Sequence, residues 1–189
     1  MLVLCLSCLW GCSYSPTSVQ VEIDSSFSPE KREIILQSLQ DWSTKTNTGF
    51  GVSTVSYVDG LSTETQDNCI KFVNQDVEER NEGPDLTLVG LTDTNYSTVG
   101  HPTEHVQATV LVWNEEPDNL FAAATRHEIG HALLVDHYCT EAQGAMSWTA
   151  CEVVSTDPEP SVMYPVVSLS TTVQPIDAFR FCQRWGCPE

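Results

Sequence analysis

The feature that most constrains this chain is one eleven-residue stretch, His127-Glu128-Ile129-Gly130-His131-Ala132-Leu133-Leu134-Val135-Asp136-His137. Three of the chain's five histidines fall inside it, so the spacing is not a by-product of a histidine-rich composition. His127 and His131 are four apart. On a helix they stand about 40° apart around the axis, on one face, where both imidazoles reach a single cation. Zinc suits such a pair, because it favours nitrogen and sulfur ligands in a tetrahedron. Glu128 follows the first of them and can project toward the open coordination position, where a carboxylate takes a proton from a metal-activated water. His137 is six residues beyond His131, about 120° away on an unbroken helix. It joins the site only if the helix stops between them and the chain folds back.

Around this stretch the periodicities alternate. Val19, Val21 and Ile23 read as a strand. Ser28-Pro29-Glu30 opens a helix to about residue 45, with Ile34, Ile35, Leu39 and Trp42 at helical spacing. Residues 50–58 read as a strand, Ile70 to Val73 as a short one, and 86–91 and 108–113 as two more. A helix over about 118–134 carries the two histidines. Another runs from about Gln174-Pro175 to Arg184. This order suits a twisted mixed sheet with helices packed on it, an α+β fold.

The spacing HExxHxxxxxH resembles that of the metzincin peptidases. That family carries a glycine where Leu134 stands, which turns the chain in a left-handed conformation. A leucine with positive φ costs on the order of 1 kcal/mol or more. Either the turn is made differently here, or His137 is imperfectly placed. Downstream, Ser161-Val162-Met163-Tyr164-Pro165 resembles the metzincin Met-turn, in the Met-Tyr-Pro form of the matrixins. There the methionine is an apolar floor beneath the imidazoles, a place that suits an adaptable thioether. The opening VQVEIDSSFSP, followed by a helix with Trp42, is similar to the first strand and helix of matrixin catalytic domains.

The resemblance implies a metzincin-like catalytic domain over residues 19–189, with active-site helix, Met-turn and C-terminal helix. It implies a zinc metalloendopeptidase acting on peptides or proteins. His127, His131 and His137 would hold one Zn²⁺, Glu128 would be the general base, and Met163 would lie beneath. It implies that the strand 108–113, with Val110 and Leu111, is the edge on which an extended peptide lies antiparallel. Tyr164, Pro165 and Val166 would line the pocket for the side chain after the cleaved bond, although Val166 and Val167 read equally as core. The competing reading is a catalytically weak or inactive zinc-binding surface lipoprotein on the same fold, its geometry relaxed by Leu134. A third ligand such as Glu152 is disfavoured by the placing of His137 and Met163.

Matrixins also hold a second zinc and calcium. Asp93, His101 and His105 could be assembled for such a metal, but their spacing is generic and solvated loop histidines are the plainer reading. Glu78, Glu79, Glu82 and Asp85 read as solvated surface rather than a calcium site.

Residues 1–11 hold an apolar run of signal-peptide length. Leu9-Trp10-Gly11-Cys12 resembles a bacterial lipobox, which implies cleavage before Cys12 and a lipid on its thiol. An ordinary secretory signal is the alternative, and a buried strand a third. Residues 12–18, with Pro16, would be a tether. Ser13 points to outer-membrane sorting, so the expectation is an exported chain, lipid-anchored in the outer membrane or secreted. Downstream, Cys69, Cys139, Cys151, Cys182 and Cys187 are odd in number. Proximity suggests Cys139–Cys151 and Cys182–Cys187, with Cys69 free.

Composition excludes more than it assigns. The 189 residues suit one domain with a core, and 41% hydrophobic residues is not a disordered composition. Acidic side chains number 26 against 8 basic, a formal charge of −18, which repels phosphate backbones and anionic lipid. No nucleic-acid partner is therefore expected. No apolar run reaches the roughly 18–20 residues of a spanning helix, so membrane contact would come only through a lipid on Cys12. A monomer is expected.

Overall fold

The computed structural model describes residues 18–46, 50–64, 68–74, 90–94, 106–137, 161–163 and 172–185. Strand β1 (Val19–Asp24) alternates as expected and buries Val19, Val21 and Ile23. The Ser28 hydroxyl accepts from the Lys31 amide at 3.3 Å and caps helix α1 (Pro29–Thr46). Ile35, Leu39 and Trp42 form the buried stripe of α1. The helix returns the chain so that β2 (Val52–Val58) lies parallel to β1. On the other side of β1, β3 (Cys69–Asn74) is parallel, and β5 (Gln107–Val112) is parallel to β3. Strand β4 (Gly90–Thr94) closes the row antiparallel to β5, giving the order β2-β1-β3-β5-β4. The mixed sheet with packed helices read from the sequence is the architecture observed.

Two strands differ from the sequence reading. The strand expected over 86–91 is found at 90–94, with 86–89 outside the described residues. The face of β4 that meets α2 carries Gly90 and Thr92 rather than apolar side chains, so Gly-Leu-Thr-Asp-Thr gives little apolar signal. The second difference is a correction. Strand 108–113 was expected at the sheet edge, but β5 lies inside it. Val110 pairs with Phe72 on one side and Thr92 on the other, and Leu111 with Val73 and Leu91. Neither has a free edge to offer a peptide. The run ATVLVW is apolar on both faces, which is the pattern of a central strand. Among the described strands, the edge on this side is β4.

Helix α2 (Asp118–Ala132) packs on α1, β4 and β5, and α3 (Pro175–Trp185) packs on α1. Two indoles fix α2. Trp42 Nε1 donates to the Arg126 carbonyl at 2.9 Å, and Trp185 Nε1 to the Leu133 carbonyl at 2.7 Å. The latter satisfies an orphan carbonyl at the helix end. Buried Lys31 ties α1 to the start of α2 through Asp118 at 2.9 Å, the Glu116 carbonyl, and the face of Phe121. The opposite face of the sheet carries a polar row in register, Glu22–Lys71–Thr109. Lys71, almost wholly buried, donates to the Glu64 carbonyl at 2.5 Å, and Thr109 donates to the Thr63 carbonyl at 2.9 Å. Residues 62–64 are thereby held over that face. No described helix is long and apolar enough to cross a membrane.

Candidate metal centre

The helical spacing puts His127 and His131 on one face of α2, as read. What brings His137 to them is the helix end. The Val135 amide donates to the Gly130 carbonyl at 2.9 Å, and the Leu134 amide to the His131 carbonyl at 2.8 Å. This pair of bonds is a Schellman motif, with Leu134 at the residue that must be left-handed. Leu134 has φ +65°, the left-handed conformation that glycine adopts without steric cost. The cost, about 1–2 kcal/mol, is met by the two closing bonds and by packing of Leu134 against the core. Neither outcome left open by the sequence is found: leucine itself makes the left-handed turn, and His137 reaches the other two imidazoles.

The three Nε2 atoms converge. His127 and His131 are 3.1 Å apart there, His127 and His137 3.1 Å, and His131 and His137 3.0 Å. Among the described residues this is the only cluster of its kind. The other ring nitrogens decide what the convergence means. His127 Nδ1 lies 2.7 Å from the Val162 carbonyl, and His131 Nδ1 3.1 Å from the Val135 carbonyl. A carbonyl only accepts, so each Nδ1 carries the proton and each Nε2 presents a lone pair. Burial and the neighbouring rings hold the rings neutral: His127 is pushed down to about 3 and His131 to about 4. Burial lowers His137 as well. At least two bare lone pairs face each other at contact distance, which a shared cation relieves. Around tetrahedral zinc, with bonds of about 2.0–2.1 Å, nitrogens lie roughly 3.3–3.4 Å apart. The observed triangle is a few tenths of an ångström tighter, so the three residues fit that ion.

Met163, fully buried, packs against Gly130 of α2. A Cβ on Gly130 would stand 2.1 Å from Met163 Sδ and 2.8 Å from Trp42 Cζ2. Glycine inside a helix is disfavoured, and here it lets the Met-turn approach the helix between the two histidines. Asp177 holds that turn. Its carboxylate accepts from Ser161 Oγ at 2.5 Å, the Val162 amide at 3.1 Å and the Gln174 amide at 2.8 Å. The last bond is half of a capping box at the start of α3. Asp177 thus secures the residue whose carbonyl orients His127.

Glu128 stands outside the nitrogen cluster, buried against β4. Thr92 Oγ1 is 2.6 Å from Glu128 Oε2, and a Cβ on Gly90 would stand 2.6 Å from Glu128 Cγ. Burial raises the Glu128 carboxyl to about 7, with the Thr92 hydrogen bond acting the other way. A carboxylate so poised accepts a proton near neutral pH and releases it again.

The structure therefore gathers His127, His131 and His137, packs Met163 against Gly130 on the same helix, seats the Glu128 carboxylate against β4, and moves Val110 and Leu111 off the edge. Tyr164, Pro165, Val166, Val167, His101, His105, Glu78, Glu79, Glu82, Asp85, Cys12, Cys139, Cys151, Cys187 and Glu152 lie outside the described residues, and of Asp93 only the backbone in β4 is described. Cys69 is a free, buried thiol, as read. Sequence reasoning missed Gly90, Thr92, Gly130 and Asp177. Gly130 had a signal, a glycine in a helix interior. Asp177 had another, an acid three residues after a helix start. Gly90 and Thr92 had none.

No protein-family model matches the chain, and no curated protein does. Among solved structures, the chain is similar to two of myroilysin. One shares 15% identity with a TM-score of 0.44, over 89% of this chain and 80% of that one. The other shares 13% identity with a TM-score of 0.44, over 93% of this chain and 86% of that one.

Proposed function

We propose that the protein is a zinc-dependent metalloendopeptidase. One observation carries the reading: three imidazole nitrogens within 3.1 Å of one another, with His127 and His131 fixed by carbonyls to present lone pairs. Zinc, when bound by His127, His131 and His137, supplies a Lewis acid that activates water and polarises a carbonyl. Glu128 takes the proton of the attacking water and hands it to the leaving amine; its raised pKa suits both transfers. Burial around Glu128 and His127 keeps bulk water from competing for that proton. An extended substrate pairs with the outer edge of β4 rather than with β5, and residues Tyr164, Pro165 and Val166 shape the pocket beyond the cleaved bond. The chain is exported, anchored through a lipid on Cys12, and acts as a monomer. The competing reading, a zinc-binding lipoprotein with relaxed geometry, drew on Leu134. The left-handed Leu134 supports the peptidase reading over it.

Glu128→Ala tests the assignment. Cleavage of a mixed peptide pool should fall by at least about a hundredfold, while one zinc per chain is retained in metal analysis. Cleavage at the wild-type rate would remove Glu128 from the mechanism.

A further inference from the structure

We infer that Thr92 is a positioning residue for Glu128, and that Gly90 and Thr92 together form the seat on which the general-base carboxylate rests. The inference rests on the peptidase reading and deepens it. Strand β4 presents Gly90 and Thr92, two residues apart, on one face. They pair in register with Val112 and Val110, both buried, on the side where α2 packs. The Thr92 hydroxyl lies 2.6 Å from Glu128 Oε2 and 3.0 Å from the Glu128 carbonyl. An ionised carboxylate only accepts, so the hydroxyl donates to it, at the length of a charge-assisted bond. Among the described residues no other donor reaches this carboxylate. Oε1 is thus left to receive the incoming proton.

Gly90 supplies the room. A Cβ there would stand 2.6 Å from Glu128 Cγ and 3.0 Å from Oε1, so any side chain would push the carboxylate off the strand. A glutamate otherwise swings about three side-chain torsions, and a displacement of about 1 Å costs on the order of a hundredfold in rate. The seat belongs to the same strand that offers the docking edge. Base orientation and substrate register are thus set by one element.

Zinc-loaded wild type, Thr92→Val, Thr92→Ser and Gly90→Ala are compared by peptide cleavage and by calorimetric titration with a peptide hydroxamate. A hydroxamate chelates zinc and gives its hydroxyl proton to a neighbouring carboxylate, so its affinity reads the position of Glu128 without turnover. Thr92→Val should lower kcat and weaken hydroxamate binding about tenfold to a hundredfold, with KM changed less than about twofold and zinc content unchanged. Thr92→Ser should stay within about threefold of wild type. Gly90→Ala should lose both readouts with the hydroxyl still present. Thr92→Val within about twofold of wild type overturns the inference, and so does Thr92→Ser falling as far as valine. Wild type that takes up zinc yet neither cleaves peptide nor binds hydroxamate overturns the peptidase reading and this inference with it.

Discussion

Leu134 is where a single residue decides whether the site exists. Its φ of +65° is what reverses the chain after α2, and the Leu134 amide donates to the His131 carbonyl in doing so. Proline at this position fixes φ near −65° and removes that donor. Leu134→Pro should therefore detach His137 and weaken zinc binding by at least about a hundredfold in competition with a chromophoric chelator. Leu134→Gly relieves the left-handed strain but loses the partial packing of the leucine, and costs flexibility in the unfolded chain. These terms offset, so Leu134→Gly should keep zinc affinity and change stability by no more than about 1 kcal/mol. Weakened zinc binding in the glycine variant would mean that the leucine side chain itself holds the loop. The conformation at 134 was not legible in the sequence. A leucine gives no local reason to turn left-handed, and the energy that makes it do so comes from bonds closed at 130, 131 and 135.

At the scale of elements, the site is a junction of three segments remote in sequence. Helix α2 supplies two histidines and Glu128, the Met-turn supplies Met163 and the Val162 carbonyl, and α3 supplies Asp177. Asp177→Ala leaves the Ser161 hydroxyl and the Val162 and Gln174 amides without their acceptor in buried or part-buried surroundings. At about 1–3 kcal/mol for each unsatisfied group, at least about 3 kcal/mol should be lost. For a chain of this size that lowers the melting temperature by roughly 6–12 °C. Zinc affinity should fall with it, because the Val162 carbonyl no longer orients His127. A variant that melts like wild type would show that Asp177 does not hold the turn. Most elements were legible, because helices and strands with one buried face write a period of 3.6 or 2 into their own residues. The exception is β4, whose Gly90 and Thr92 mean something only once α2 lies across them.

For the molecule as a whole, the buried groups of the site link stability to pH. Glu128 has its folded pKa raised, from 4.5 to about 7, by burial. Its contribution is complete below about pH 4.5 and is lost as pH rises through about 7. His127 and His131 are lowered to about 3 and about 4, so their contributions are complete above about 6.5 and are lost as pH falls. The metal-free protein is thus strained from both sides. Glu128→Gln removes one of them. Metal-free Glu128→Gln should melt above metal-free wild type at pH 8, and the difference should vanish below about pH 4.5. A difference that is constant across this range would mean that Glu128 is not buried as a carboxyl. The sequence by itself determined which three histidines could hold a metal, the helix that carries two of them and the class of fold, because spacing along a helix and alternation along a strand are local properties of the chain. Only the tertiary structure decided that β5 is interior and β4 the edge, that Leu134 turns left-handed, and that Thr92 holds Glu128. Each of these depends on contacts or bonds that a residue's own type does not record, and the balance of strain against packing at such contacts is set by the assembled fold.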